Sequence, residues 1–157
     1  MTKENIRDYS MSITQASRTG LVVITYNIII DYINEALRAH GEDRLSDYRT
    51  ALKKAKSFLA ELSGALDMQY ELSHNLMRLY LFMNREMVKA DSGKDVTNLS
   101  RIRDMLKELR DAFCEVGKTD NSGPVMENTQ TVYAGLTYSK GSLNENMYSA
   151  GNRGYTV

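Results

Sequence analysis

Two histidines, His40 and His74, are the residues of this chain best suited to metal or acid–base chemistry. Glu71 and His74 are three positions apart, which places a carboxylate and an imidazole on one face of a helix. Di-iron proteins built on helical bundles use this pair twice, together with two further carboxylates. His40 has Leu37 at the matching position, so half of the ligand set is missing. We therefore predict no metal site, and we expect His74 at the surface or boundary of its helix.

Other catalytic arrangements also lack essential members. A phosphate-accepting histidine on a helical bundle is followed by a basic residue and a glycine, a pattern that neither histidine fits well. The stretch Gly117-Lys118-Thr119 lacks the upstream glycine and the strand of a phosphate-binding loop. Two histidines also leave no Cys–His or Ser–His–Asp set. We predict a protein that is not an enzyme, with no catalytic residues and no cofactor; a bundle enzyme acting through His74 is a minor alternative.

Composition narrows the class of protein further. A chain of 157 residues points to one domain, and 20 basic residues balance 20 acidic ones. Nucleic-acid binders use a basic surplus to neutralise phosphates, so no nucleic-acid partner is expected. The single cysteine, Cys114, excludes an internal disulfide and fits a reducing compartment. It follows Phe113 in a helical pattern, so it is predicted to be a buried core thiol.

The N-terminal region has no signal-peptide pattern, and the apolar run over residues 21–30 is interrupted by Thr25, Tyr26 and Asn27. That run is shorter than the roughly 20 apolar residues that span a bilayer. We therefore predict a cytoplasmic protein without membrane insertion.

Four segments carry apolar residues in alternating steps of three and four, which is the pattern of packed helices. They run from Ser17 to His40, from Asp43 or Ser46 to about Asp67, through Leu72 and Met87 to about Asp91, and from Asp95 to Val116. Ser17, Asp67 and Asp95 are predicted N-caps, and Gly41 is a predicted stop. Short connections between such helices predict an all-α fold, an antiparallel four-helix bundle over residues 17–116.

The two ends of the chain differ from the bundle. Residues 1–16 form a short, mildly apolar segment whose Tyr9 and Ile13 are predicted to cap a groove as a lid. Residues 117–157 are rich in Gly, Ser, Asn and Tyr and are predicted to be a disordered tail. We also raise the hypothesis that four tail tyrosines compete with a partner for the groove: Tyr133, Tyr138, Tyr148 and Tyr155.

The first predicted helix carries more apolar residues than one bundle-facing stripe requires. One stripe contains Val22, Tyr26, Ile29, Ile33 and Leu37, and a second contains Leu21, Ile24, Ile28 and Tyr32. The surplus indicates either a partner-binding surface or a central helix that is buried on all sides. Its apolar and aromatic character suits a partner helix that lies in a groove.

Several motifs resemble a known family. They are Ala65-Leu66-Asp67, Glu71, Asn75-Leu76, Leu79-Tyr80, Met83-Asn84-Arg85, Ala90-Asp91, the stretch from Leu109 to Phe113, and Ala16-Ser17, Leu21 and Tyr26-Asn27 in the first helix. Together they resemble the FliS family of flagellar secretion chaperones over about residues 6–116. The family commonly has Pro-Glu-Glu where this chain has Arg18-Thr19-Gly20, and Asp-Gly where it has Asn27-Ile28. The tail after Val116 exceeds the usual family length.

The resemblance implies a four-helix bundle with an N-terminal cap and a client, the disordered C-terminal region of flagellin. Binding would prevent premature polymerisation of flagellin and keep it competent for secretion, with the flagellar export apparatus as a further partner. The residues predicted around the client groove are Tyr26, Ile30, Leu66, Leu76, Leu79 and Tyr80. We expect a monomer or weak dimer. The alternative is a helical scaffold that buries the same apolar face in a homodimer.

Overall fold

The computed structural model describes residues 3–92 and 96–126. This part of the chain contains five helices and no strand: α1 (Lys3–Gln15), α2 (Arg18–Gly41), α3 (Leu45–Gly64), α4 (Glu71–Asp91) and α5 (Thr97–Gly117). The all-α prediction is confirmed. The predicted cap segment is itself a helix, α1, which the sequence pattern did not reveal because its few apolar residues form no long stripe. Gly93, Asp95 and the four tail tyrosines, with the rest of residues 127–157, lie outside the described residues.

The two ends of α2 are set by local hydrogen bonds. Ser17 is the N-cap, as predicted, because its Oγ accepts a hydrogen bond from the N–H of Gly20 at 3.1 Å. The helix ends at Gly41, but the left-handed residue is Asp43, with φ of 54°. The N–H of Asp43 donates to the His40 carbonyl and that of Arg44 to the Ala39 carbonyl. This is a Schellman ending with aspartate in the position that glycine usually occupies.

Asp67 was predicted to cap the third of the four predicted helices, which is α4, and this prediction was wrong. Its carboxylate accepts a hydrogen bond from the N–H of Gln69 at 3.0 Å, so it closes the turn between α3 and α4. The N-cap of α4 is Tyr70, which makes no side-chain capping bond. Asp67 lies too far before Glu71 to reach the free N–H groups of the first helical turn.

The helices pack in a ring in which α2 contacts α3 and α5, and α4 contacts the same two helices, while α1 packs against α2. The predicted stripes supply the core, including Ile29 and Ile33, Leu52 and Leu59, Met83 and Met87, and Leu99, Ile102 and Leu106. Three stripe residues at helix ends are exposed: Leu45, Leu72 and Val116.

Polar contacts also join α3 to α4. The Tyr48 hydroxyl donates a hydrogen bond to the Ala90 carbonyl at 2.8 Å, and Lys56 pairs with Asp91 at 2.5 Å.

The surplus of apolar residues on α2 is explained by its neighbours. Three helices pack against it, and none of its large apolar side chains is among the exposed ones. In the described part of the chain, α2 is the one helix long and apolar enough to cross a membrane by length and composition. The central helix of a folded domain meets the same criterion, so this finding is weak evidence of insertion.

Cys114 is exposed, which contradicts the predicted core thiol. Its neighbour Phe113 packs against the core. Because consecutive residues of an α-helix are turned by about 100°, the side chain that follows a core-facing residue near a helix end points away from the core.

Glu86, near the end of α4, is buried and joins α4 to α5. Its carboxylate accepts hydrogen bonds from Lys89 and from Asn98 of α5, both at 2.7 Å. Lys89 is the main cause of the lowered pKa of the Glu86 carboxyl, and Asn98 also lowers it.

A carboxyl with a lowered folded-state pKa stabilises the fold above its unfolded pKa of about 4.3, and this contribution is lost as the pH falls through the lower value. We therefore expect Glu86→Gln to show a shallower loss of unfolding free energy below about pH 4 than the parent protein. Denaturant unfolding over a pH series measures this. The exposed Glu61→Gln is the matched control, and identical slopes for both variants would contradict the prediction.

Candidate functional site

Helix α1 lies on α2 and is held there by a polar contact. The Tyr9 hydroxyl donates a hydrogen bond to Asp31 Oδ2 at 2.6 Å. Burial, together with the Asp31 carboxylate, raises the pKa of Tyr9 above its ordinary value, so the phenol remains a donor over the physiological range. Tyr9 and Ile13, the two residues predicted to form the cap, are both half-buried in α1.

The surface of α2 that faces α1 is the second apolar stripe. Ile28 is 6% exposed, yet it is not part of the core cluster formed by α2 to α5. Leu21, Ile24 and Tyr32 lie at helical spacing from Ile28 on the same side of α2 and are half-buried. Asp31, the partner of Tyr9, lies next to this stripe on the helical repeat, so α1 packs on the same side of α2 as the stripe. We call these four apolar residues, Leu21, Ile24, Ile28 and Tyr32, the α2 stripe.

The edge of the α1 contact is open. A cavity of about 210 Å³ is lined by Ile6 of α1, by Tyr32 and Glu35 of α2, and by residues of α3 that include Thr50 and Lys54. The Tyr32 ring stacks on Phe58 of α3, with ring centres 6.0 Å apart. The far end of the α2 stripe is therefore continuous with a partly apolar cavity between three helices.

The six residues predicted around the client groove are not brought to one open surface. Tyr26, Ile30, Leu76 and Tyr80 are buried in the core, and Leu66 and Leu79 are half-buried against it. A client could touch the four buried residues only after a rearrangement of the helices. The assignment of all six residues to the groove stays a prediction.

Tyr26 and Tyr80 form the polar centre of the bundle. Their hydroxyls are hydrogen-bonded to each other across α2 and α4, and their rings meet edge to face at 6.4 Å. Phe113 of α5 packs on Tyr26 at 5.7 Å. Burial raises the pKa of both tyrosines. The three rings tie α2, α4 and α5 together, and the pair satisfies two hydroxyls that would otherwise be unpaired in the core.

The residues considered for chemistry do not converge. Glu71 and His74 are both exposed in the first turn of α4. Within residues 3–92 and 96–126, no group of three or more His, Cys, Asp or Glu side chains is placed to hold a metal ion.

The sequence patterns did not predict two features of the site. Asp31 interrupts the apolar run of α2, and this single acidic residue was the available signal for a polar contact on that face. The second is a contact between the segment after α5 and the α1–α2 junction, where the N–H of Val125 donates to the Ala16 carbonyl at 3.1 Å. No local pattern indicates such a pairing, since its two partners are far apart in sequence.

The family described as flagellar protein FliS matches residues 2–120, a span that includes all five helices. The flagellar secretion chaperone FliS of Bacillus subtilis (strain 168) is 28% identical over 102 residues, which cover 65% of this chain and 77% of the relative. The N-terminal helix, the α2 stripe and the Tyr26–Tyr80 pair all lie within the family match, and so the chain belongs to the FliS family.

Proposed function

We propose that this protein is a cytoplasmic export chaperone that binds the disordered C-terminal region of flagellin. Binding would prevent premature polymerisation and keep flagellin competent for flagellar secretion. The observation that carries the proposal is the α2 stripe, which is apolar and lies on the side of α2 where α1 packs, with Ile28 outside the core cluster. Membership of the FliS family and similarity to the flagellar secretion chaperone of Bacillus subtilis support it.

We place the client on the α2 stripe, in the position that α1 occupies. Both α1 and an amphipathic client segment would use the same contacts, namely apolar side chains against Ile24 and Ile28. Burying one side chain of this size stabilises a complex by roughly 1.5–3 kcal/mol. A client that covers three or four of them can therefore offset the cost of its own ordering.

The role proposed for α1 is that of a lid. If the client binds only when α1 has left the stripe, the apparent affinity is lowered by the fraction of molecules that are open. The Tyr9–Asp31 hydrogen bond favours the closed state and protects the apolar stripe from water and from self-association when no client is present.

The links between the helices bear on how α2 to α5 are arranged. The three-residue link from α2 to α3 and the six-residue link from α3 to α4 support an antiparallel arrangement of α2 to α5. We propose the flagellar export apparatus as a second partner, and a monomer or weak dimer as the oligomeric state. No catalytic residue, cofactor or metal is part of the proposal.

The test is calorimetric titration of the full chain with a peptide from the C-terminal end of the cognate flagellin. We expect a saturable one-to-one isotherm with a negative heat-capacity change, because apolar surface is buried and the peptide folds on binding. A peptide of the same composition in scrambled order is the control. No heat with the native-order peptide, and no complex on a sizing column, would reject the proposal.

The alternative function is a self-associating scaffold that buries the same stripe in a homodimer. It would require α1 to leave α2 without a client, against the Tyr9–Asp31 contact. Light scattering of the flagellin-free protein separates the two functions, since an obligate dimer would favour the scaffold and a monomer the chaperone.

A further inference from the structure

The segment after α5 returns to the junction between α1 and α2. α5 ends at Gly117, where a Cβ atom would lie 3.5 Å from Thr19 Cγ2 in the first turn of α2. The chain continues through residues 118–126, which we call the strap. Within it, the N–H of Val125 donates to the Ala16 carbonyl at 3.1 Å. The strap therefore contacts the junction between α1 and α2 at Ala16.

Asp120 organises the first half of the strap. Its carboxylate accepts hydrogen bonds from the N–H of Ser122 at 2.9 Å and from the Ser122 hydroxyl at 2.5 Å. The Ser122 hydroxyl, then the Thr19 hydroxyl, hold the pKa of the Asp120 carboxyl well below its usual range, with smaller contributions from the Ser122 N–H and the Ser17 hydroxyl. The Asp120 carboxylate thus lies close to the N-terminal turn of α2, where negative charge is favourable.

The junction that the strap contacts is very short. α1 ends at Gln15 and α2 begins at Arg18, so any change in the angle between the two helices must occur at Ala16 and Ser17. A Cβ atom on Gly20 would lie 3.3 Å from Ala16 Cβ, which shows how closely this corner is packed. Rotation about the Ala16 backbone would move its carbonyl and break the bond from Val125.

We propose that the strap, residues 118–126, locks the α1–α2 junction and thereby keeps α1 closed over the α2 stripe. The inference rests on the proposed function because it takes the α2 stripe to be the surface that binds flagellin. The family match ends at residue 120, so the Val125–Ala16 bond lies beyond it. This chain therefore carries a control on its lid from the segment that follows α5.

The direct test is amide hydrogen–deuterium exchange of the full chain without client. Val125→Pro removes the N–H donor, and Val125→Ala keeps it and removes most of the side chain. Loss of one hydrogen bond corresponds to about a fivefold change in an opening equilibrium. We expect α1 amides to exchange about fivefold faster in Val125→Pro than in Val125→Ala, with α3 amides unchanged as the check on folding. Asp120→Ala, which removes the contacts to Ser122 and Thr19, is expected to act in the same direction.

The exchange and binding measurements distinguish a failure of the strap proposal from a failure of the proposed chaperone function. Equal exchange of α1 in Val125→Pro, Asp120→Ala and Val125→Ala would overturn the strap, whatever flagellin does. If α1 exchanges faster in Val125→Pro, the flagellin peptide should also bind that variant about fivefold more tightly than Val125→Ala. Equal affinities of Val125→Pro and Val125→Ala for the peptide would contradict the proposal that the strap controls client binding. A peptide that binds none of the proteins rejects the proposed function, while exchange still decides the strap.

Discussion

Replacing Ile28 with aspartate is expected to abolish flagellin binding and to release α1 while the core stays folded. The variant loses an apolar contact worth roughly 1.5–3 kcal/mol and places a carboxylate against any apolar segment that lies on the stripe. The affinity for the flagellin peptide should fall by at least about a hundredfold. The core should persist because Ile28, although buried, is not part of the core cluster of α2 to α5.

The matched control for Ile28→Asp is Leu81→Asp. Leu81 lies on α4 and is 60% exposed, so the same chemical change there should leave peptide binding within about twofold of the parent protein. Calorimetry with the flagellin peptide measures the affinity, and circular dichroism with thermal unfolding checks the fold of both variants. If Ile28→Asp binds the peptide as the parent does, the α2 stripe is not the client surface.

The second large effect is expected at the Tyr26–Tyr80 pair. Each single change to phenylalanine leaves the other hydroxyl buried without its partner, which costs about 1–3 kcal/mol of unfolding free energy. The double variant removes both hydroxyls and keeps both rings. It should therefore lose less stability than the sum of the two single variants, with a coupling of about 0.5–3 kcal/mol.

Denaturant unfolding of the four proteins in this cycle measures the coupling. Tyr70→Phe is the control, because Tyr70 is 64% exposed and makes no capping bond for α4; its effect should lie within about 0.5 kcal/mol of zero. Strictly additive losses at positions 26 and 80 would contradict a hydrogen bond between the two hydroxyls.

The regular parts of this protein follow from local sequence. Leu52 and Leu59, or Leu99 and Leu106, recur at helical spacing, and the structure places these stripes in the core because one apolar face per helix is enough to drive packing. Ser17 could be recognised as an N-cap because capping depends on one side chain and the N–H groups of the next turn. The family resemblance rested on such short motifs as well, and the family match confirmed it.

The tertiary structure alone decided which apolar residues belong to the core cluster and which lie outside it. Tyr26 and Ile28 are two positions apart on the same helix, and only the placement of the other helices makes Tyr26 part of the core cluster and leaves Ile28 outside it. The same holds for Cys114, whose exposure depends on where α5 leaves the core.

Long-range polar contacts are the other part that the sequence did not determine. Tyr9 with Asp31 and Val125 with Ala16 each join segments that no periodicity relates. Helical periodicity in the sequence predicts which face of its own helix a residue occupies, because side-chain direction follows the helical repeat. It does not predict which other element meets that face, since this depends on how all the helices pack together.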